Sequence, residues 1–125
     1  MGELGSSGWG AFAESVCAPE NVLVRKPENV SFIEAAAAPL SGVTAIQGLR
    51  TFAQLRAGES ALINGASGGV GTYAVQIAKA LGAEVTAVCS ARNVELGRSL
   101  GATRVIDYAT VDFTEEPKKY DVILA

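Results

Sequence analysis

Histidine is absent from the 125 residues of the sequence, and cysteine is represented only by Cys17 and Cys89. The absence of histidine excludes catalysis by a Ser-His-Asp or Cys-His arrangement and metal binding by imidazole within this chain. The two cysteines lie far apart, and neither belongs to a Cys-x-x-Cys or Cys-His pattern. A zinc knuckle and a redox-active cysteine pair are therefore not indicated, and we expect both thiols to be buried.

Basic residues and long apolar runs are also scarce. Ten lysines and arginines stand against 13 aspartates and glutamates, which gives a net charge of -3 and an isoelectric point near 4.9. This balance provides no basic surface for nucleic acid. The longest nearly uncharged stretch, 35–49, is interrupted by Pro39 and Gly42, so the sequence predicts no membrane span. The first residues lack the basic and apolar regions of a signal peptide, and we expect an intracellular protein, in the cytoplasm or an organelle.

Glycine, by contrast, is abundant, and the segment 61–72 reads Ala-Leu-Ile-Asn-Gly-Ala-Ser-Gly-Gly-Val-Gly-Thr. It places a glycine-rich turn between a short apolar strand and an amphipathic helix, as in a dinucleotide-binding βα unit. We expect Gly68 to allow the tight turn, Gly69 to keep side chains away from a pyrophosphate, and Gly71 to let the helix pack closely on the strand. The amides at the helix start then face the anion, while Ser67 bonds a pyrophosphate oxygen or caps the helix, two roles that are compatible. The predicted cofactor-binding residues of this loop are Ser67, Gly68, Gly69, Val70 and Gly71.

The same alternation of strand and helix continues to the end of the sequence. The strands are continuous apolar runs, which are typical of a parallel sheet covered on both faces. The predicted strands are residues 60–64, 84–89, 104–107 and 120–124, and the predicted helices are 70–81 and 93–100. The sequence thus predicts an α/β fold with an incomplete doubly wound parallel sheet of the Rossmann type, since a full dinucleotide fold has about six strands.

Upstream of this repeat, the sequence predicts two helices and two short strands. Ser31 and Glu34 have the spacing of a capping box, which opens a short helix ending before Pro39. A second helix is predicted from about Gly42 to Leu55. The two strands are residues 9–14 and 21–25. Because two strands alone do not make a stable sheet, we interpret them as the remnant of another domain.

Several motifs occur at consistent spacing along the whole chain. They are Gly10-x-Phe12-Ala13-Glu14, Pro27-x-Asn29-Val30-Ser31-Phe32-x-Glu34, Pro39-Leu40-Ser41-Gly42-Val43-Thr44-Ala45, Ala66-Ser67-Gly68-Gly69-Val70-Gly71 and Leu100-Gly101-Ala102-x-x-Val105-Ile106-Asp107-Tyr108. In this order the sequence resembles the medium-chain dehydrogenase/reductase superfamily, and within it the zinc-independent quinone oxidoreductase and enone reductase branch. The resemblance implies a GroES-like catalytic domain, with residues 1–28 as its C-terminal remnant, followed by an NADP-binding Rossmann domain over 29–125.

The resemblance also implies the chemistry. In this branch hydride passes from NADPH to a quinone or to the β-carbon of an α,β-unsaturated carbonyl that is held between the two domains. Most side chains that polarise the carbonyl would belong to the N-terminal domain, so we assign no catalytic residue. As a partial chain, these residues alone are expected to be inactive and poorly folded, and we expect the full-length protein to form a homodimer.

One departure from the zinc-dependent members of the superfamily concerns metal binding. Those members carry a zinc-binding cysteine upstream of the glycine-rich loop, and at that distance before Ala66 this sequence has Ser41. A serine hydroxyl is a poor zinc ligand, because zinc selects thiolate, imidazole or carboxylate. The sequence therefore predicts no metal site.

A second departure concerns the ribose of the cofactor. NAD enzymes usually place Asp or Glu at the end of the second strand, where the carboxylate binds the 2′-hydroxyl and repels a 2′-phosphate. Here Cys89 is followed by Ser90 and, two residues later, by Arg92. Ser90 can donate to a phosphate oxygen and Arg92 supplies a fixed positive charge, so the sequence favours NADPH. The alternative is that Arg92 is a solvated residue at a helix start.

Two further residues match positions near the cofactor in this branch. Tyr108 follows the third strand, where relatives have a tyrosine beside the adenosine phosphate, although a half-buried tyrosine at a strand end is the alternative. Thr44 matches a position near the nicotinamide and is equally compatible with an ordinary helix residue.

Two other functions remain open: a non-catalytic NADPH-binding scaffold or redox sensor, and an S-adenosylmethionine methyltransferase, whose usual acid at the end of the second strand is absent.

Overall fold

The computed structural model describes residues 12–125, and the chain divides between Leu40 and Ser41 into two compact units. The elements are α1 Phe32–Ile46, β1 Ser60–Asn64, α2 Gly69–Ala80, β2 Glu84–Cys89, α3 Val94–Ser99, β3 Arg104–Asp107 and β4 Val122–Leu124. Three of the strands have the predicted bounds, and the fourth begins two residues later than predicted. The expected domain boundary after residue 28 stays a prediction.

The four strands form one parallel sheet in the order β3-β2-β1-β4. The strand β1 pairs with β2 on one side and with β4 on the other, both in parallel. This is the strand order of a Rossmann sheet, so the predicted fold class is confirmed. The chain crosses in one direction from β1 to β3 and then returns to β4. The switch point, where such sheets bind ligands, therefore lies between the carboxyl ends of β1 and β4.

The main core lies between one face of the sheet and α2. Gly71, Ala74, Val75 and Ala78 of α2 are buried and have the spacing of one helix face. They pack with Ala61, Ile63, Val85 and Ala87 of the two central strands, all four of which have no exposed surface. On the other face, a second cluster contains Leu62, Val88 and Ile106 with Phe113 and Tyr120 packed against it. The central strands are thus covered on both faces, as their apolar runs predict.

The short strand β4 is joined to β1 by a side chain as well as by strand pairing. The Asp121 carboxylate accepts hydrogen bonds from the Ser60 N–H at 2.8 Å and from the Ser60 hydroxyl at 2.7 Å. In return, the Asp121 N–H donates to the Ser60 carbonyl at 3.0 Å. These bonds keep the pKa of the Asp121 carboxyl below its usual value, because they stabilise the ionised form.

The predicted capping box is present at the start of α1. The Ser31 N–H donates to the Glu34 carboxylate at 2.9 Å, and the Glu34 N–H donates to the Ser31 hydroxyl at 3.2 Å. The prediction that this helix ends before Pro39 is wrong, since α1 includes Pro39 and continues to Ile46. Proline removes one hydrogen bond from a helix. Here the four alanines at 35–38 are strong helix formers that support the turn before it.

The predicted second helix, Gly42 to Leu55, does not exist as a separate element. Its first residues belong to α1, and Gln47–Phe52 continue the same helical segment with π-type hydrogen bonding. The chain leaves this segment through Gln54, which has a φ of 52°. Such a left-handed backbone is uncommon for a residue with a side chain, so no local pattern in the sequence indicates it.

The continuity of this segment bears on the expectation that the chain has no membrane span. Among the described residues, the 21-residue segment Phe32–Phe52 is long and apolar enough to cross a membrane by length and composition, with a mean hydropathy of 1.2 over an 18-residue window. Core helices of globular proteins pass the same test, so this is weak evidence for a span.

The strands predicted over 9–14 and 21–25 are not found in the described part of the chain. Residues 9–11 lie outside it, 12–14 form a bend, and Glu20–Val22 form a 3-10 turn. The backbone bonds here are local, from Val22 to Pro19 and from Leu23 to Glu20, and no second strand within residues 12–125 pairs with this segment. Without a sheet to cover it, Cys17 is exposed, contrary to expectation, whereas Cys89 is buried as predicted.

Candidate functional site

Three loops leave the sheet at the same edge, after the carboxyl ends of β1, β2 and β3. The strand register sets Asn64 opposite Val88 and Cys89 opposite Asp107, so the three strands end side by side. Two backbone hydrogen bonds tie the loops to β2: Ala66 N–H donates to the Val88 carbonyl at 3.0 Å, and Tyr108 N–H donates to the Cys89 carbonyl at 3.2 Å. The three loops therefore lie side by side at one edge of the sheet.

The loop after β1 turns sharply at Gly65, whose φ is 69°. The turn is closed by a hydrogen bond of 2.9 Å from the Gly68 N–H to the Gly65 carbonyl. Gly68 itself has an extended backbone, with φ -80° and ψ 172°. The residue that allows the tight turn is thus Gly65, which the sequence reasoning missed. Its position directly after a strand and before the loop is the signal that could have indicated it.

Gly71 is required by packing. A Cβ atom at this position would lie 2.2 Å from the Gly65 carbonyl oxygen and 2.8 Å from the Ala66 Cα. Both neighbours are backbone atoms of the loop, so a change of side-chain rotamer could not relieve the contact. The close approach of helix to strand that was predicted at Gly71 is therefore present.

The absence of a side chain at Gly69 leaves room for the Ser41 side chain of α1. A Cβ atom at Gly69 would lie 3.0 Å from the Ser41 Oγ and 4.0 Å from the Ser41 Cβ. Ser41 belongs to α1, and the next residue, Gly42, faces the Tyr73 ring of α2 at a Cβ distance of 3.8 Å. Gly69, which was expected to keep side chains away from a pyrophosphate, thus also lies next to the Ser41 hydroxyl.

The first turn of α2 presents unpaired donors. The first amide with an acceptor in the helix is that of Thr72, which donates to the Gly68 carbonyl at 2.9 Å. The amides of Gly69, Val70 and Gly71 have no acceptor among residues 12–125, and no side chain in that range caps the helix. Ser67, predicted either to cap the helix or to bond a pyrophosphate, does not cap it. These amides, together with the helix dipole, favour an anion.

The end of β2 carries a hydroxyl and a cation. The Ser90 Oγ accepts a hydrogen bond of 3.1 Å from the Asn93 side chain, which orients the hydroxyl and leaves its proton free to donate. Ser90 precedes the 3-10 turn Ala91–Asn93, which contains Arg92. Arg92 is exposed and forms no ion pair with any residue of the described range. A phosphate at this edge could therefore bind both groups.

Cys89, at the same strand end, is not a reactive group. Burial raises the pKa of its thiol, and the nearby Asp107 carboxylate raises it further. The thiol is therefore protonated at neutral pH and behaves as a small apolar side chain.

Tyr108 and Thr44 complete the predicted set. The Tyr108 side chain is 60% exposed, so the alternative of a half-buried packing residue is not favoured. The turn that follows it is fixed by a hydrogen bond of 3.1 Å from the Ala109 N–H to the Asp107 carboxylate. Thr44 is an exposed residue of α1, one helical turn after Ser41.

The structure thus brings most of the predicted residues to one edge of the sheet. Those in the three loops are Ser67, Gly68, Gly69, Val70, Gly71, Ser90, Arg92 and Tyr108, and Thr44 lies on the helix that contacts the first loop through Ser41. Within residues 12–125, no three Cys, Asp or Glu side chains come together in a way that could hold a metal ion. The absence of a metal site stays a prediction.

Comparison with known proteins shows which family this chain is similar to. A family model described as zinc-binding dehydrogenase matches residues 69–122. The chain is 45% identical to the chloroplast envelope quinone oxidoreductase homolog of Arabidopsis thaliana, over 97% of this chain and 40% of that protein. These matches support a similarity of this chain to the quinone and enone oxidoreductase branch of the medium-chain dehydrogenase/reductase superfamily.

Other members of this superfamily show the same similarity. The NADPH-dependent alkenal/one oxidoreductase of Arabidopsis thaliana chloroplasts is 40% identical over 95% of this chain and 31% of its own length. The quinone oxidoreductase of Thermus thermophilus, solved also as a complex with NADPH, is 42% identical, with a TM-score of 0.75 over 80% of this chain and 34% of its own. The chain spans about 40% of the length of the curated medium-chain dehydrogenase/reductase relatives it matches first.

Proposed function

We propose that this chain carries the NADPH site of a zinc-independent oxidoreductase that transfers hydride to a quinone or an α,β-unsaturated carbonyl. The observation that carries the proposal is the end of β2, where Ser90 and Arg92 follow Cys89 in the place where NAD enzymes have a carboxylate. Two similar proteins support it, since one is named as NADPH-dependent and the other was solved with NADPH.

The residues fit the three parts of such a cofactor. The Ser90 hydroxyl has a free proton and Arg92 has a guanidinium without an ion-pair partner in residues 12–125, which suit a 2′-phosphate. The amides of the first turn of α2 have no acceptor in the same range and suit the pyrophosphate, with Ser67 as a further donor. Tyr108 would lie against the adenosine and Thr44 near the nicotinamide.

When bound, NADPH would supply the hydride. The residues of this chain would hold the cofactor and orient it, because they provide donors for its anionic groups. The catalytic groups, the GroES-like domain ending near residue 28 and the homodimer belong to the same proposal, and none of them rests on a contact within residues 12–125.

Cofactor preference is the direct test of the site. A charge-assisted contact contributes about 1.5 to 3 kcal/mol, so Arg92→Ala should weaken NADPH binding roughly tenfold to a hundredfold and leave NADH binding nearly unchanged. Fluorescence titration of both cofactors against the full-length protein measures this. Arg56→Ala is the matched control, because Arg56 lies before β1 and hence at the opposite edge of the sheet. Equal losses for the two cofactors would refute the phosphate assignment.

The companion variant, Ser90→Asp, should reverse the preference. A carboxylate at this position would repel the 2′-phosphate and accept hydrogen bonds from the 2′-hydroxyl of NADH. If Ser90→Asp weakens the binding of both cofactors alike, the end of β2 does not face the ribose.

Turnover separates an enzyme from a non-catalytic NADPH-binding protein. The full-length protein should oxidise NADPH in the presence of a quinone or an enone. Tight NADPH binding with no turnover on either substrate class would favour the scaffold or sensor, and binding of S-adenosylmethionine in place of NADPH would favour a methyltransferase.

A further inference from the structure

Ser41 of α1 lies next to the glycine-rich loop at Gly69. Its Oγ lies 3.0 Å from the point that a Cβ atom of Gly69 would occupy, and Gly69 is the first of the three residues of α2 whose amides have no acceptor among residues 12–125. A Cβ atom added at Gly42 would lie 3.8 Å from the Tyr73 ring, so the same part of α1 lies close to α2. The position of the hydroxyl is therefore set by helix packing.

The Ser41 hydroxyl has no hydrogen-bond partner among residues 12–125, although Ser41 is half-buried. Helical serines commonly donate to a carbonyl of the preceding turn, as Ser99 does to Leu96 at 2.8 Å. Ser41 does not satisfy its hydroxyl in this way, so its proton is available to a ligand.

We propose that Ser41 is a binding residue for the cofactor pyrophosphate, donating a hydrogen bond from α1 to the phosphate that the α2 amides hold. This inference rests on the proposed NADPH site. It also gives Gly69 a role, since any side chain there would occupy the space between the hydroxyl and the loop. The pyrophosphate is then held from two helices, by amides of α2 and by a hydroxyl of α1.

The test uses three ligands and the full-length protein. Because NADPH and NADH share the pyrophosphate, Ser41→Ala should weaken both about equally, by roughly tenfold, the effect of one hydrogen bond to a charged group. Adenosine 2′-monophosphate has no pyrophosphate, so its affinity should stay unchanged in Ser41→Ala and fall in Arg92→Ala. Ser99→Ala is the control, since it removes a helical serine hydroxyl from α3.

A double-mutant cycle tests the geometry independently. Gly69→Ala alone should weaken both dinucleotides, because its Cβ would crowd the Ser41 Oγ at 3.0 Å. In the Ser41→Ala background the same change brings Cβ only to within 4.0 Å of the Cβ at position 41, an ordinary contact. Gly69→Ala should therefore cost much less affinity there than in the wild-type protein.

Dinucleotide affinity that is unchanged by Ser41→Ala would overturn the Ser41 assignment and leave the NADPH site standing. A parallel loss of adenosine 2′-monophosphate binding would also overturn it, since a structural defect would then explain the effect. Failure of the wild-type protein to bind any of the three ligands would overturn the proposed function, and the Ser41 assignment would fall with it.

Discussion

Replacing Gly71 by alanine should be among the most damaging single-methyl substitutions in this chain. The new Cβ would lie 2.2 Å from the Gly65 oxygen, 2.8 Å from the Ala66 Cα and 2.9 Å from the Ala66 carbonyl carbon. An ordinary contact is about 3.4 Å or more, so relief needs a shift of roughly 1 Å by either α2 or the loop. Overpacking costs about 1 to 3 kcal/mol, and because only backbone can move here, we expect about 3 kcal/mol.

The assay is thermal or urea unfolding followed by circular dichroism, on the full-length protein. A loss of about 3 kcal/mol corresponds to a decrease in Tm of roughly 10 °C. Gly58→Ala is the matched control, because Gly58 has a φ of 85° and no atom within 4 Å of its added Cβ. That variant isolates the left-handed strain, about 1 to 2 kcal/mol. If Gly71→Ala costs no more than Gly58→Ala, the packing argument is wrong.

Two further predictions concern metal and acid. Activity of the full-length protein should survive exhaustive chelation, and elemental analysis should find far less than one zinc per chain; stoichiometric zinc lost together with activity would contradict the interpretation of Ser41. The pKa of Asp121 is lowered in the folded state, so its contribution to stability is present above its ordinary pKa, near 3.8, and is lost as the pH falls below it. The free energy of unfolding, measured from pH 7 to 3, should therefore depend less on pH in Asp121→Asn than in the wild-type protein. If it depends on pH equally in both proteins, the hydrogen bonds between Asp121 and Ser60 do not contribute to stability.

The sequence was sufficient to predict the strands of the sheet and the order of the loops that follow them. The runs at 60–64, 84–89 and 104–107 are short, apolar and bounded by glycine or polar residues, and each became a strand with those bounds. A strand buried on both faces has few alternatives, so local pattern and tertiary structure agree. The capping box at Ser31 and Glu34 formed for the same reason, since both partners lie within one helical turn.

The features that the sequence missed depend on competing local preferences and on contacts between segments. Pro39 is a helix breaker by local rules, and its place inside α1 follows from the helix formers around it. The residues at 21–25 include the short apolar run Val22-Leu23-Val24, which is typical of a strand, yet no neighbouring strand in residues 12–125 supplies their hydrogen bonds. The approach of Ser41 to Gly69 could not be predicted either, because it depends on how α1 packs on α2.

The division of the site among three separate loops affects how cofactor use can change over time. The glycine-rich loop is constrained at Gly65 by its left-handed backbone and at Gly71 by contacts that leave no room for a side chain, whereas Arg92 lies in an exposed 3-10 turn with no ion pair in residues 12–125. Surface turns accept new side chains far more readily than packed glycines do. In the proposed NADPH site, selection could therefore alter the choice between the phosphorylated and unphosphorylated dinucleotide by point changes in one turn, while the glycine-rich loop is inherited intact.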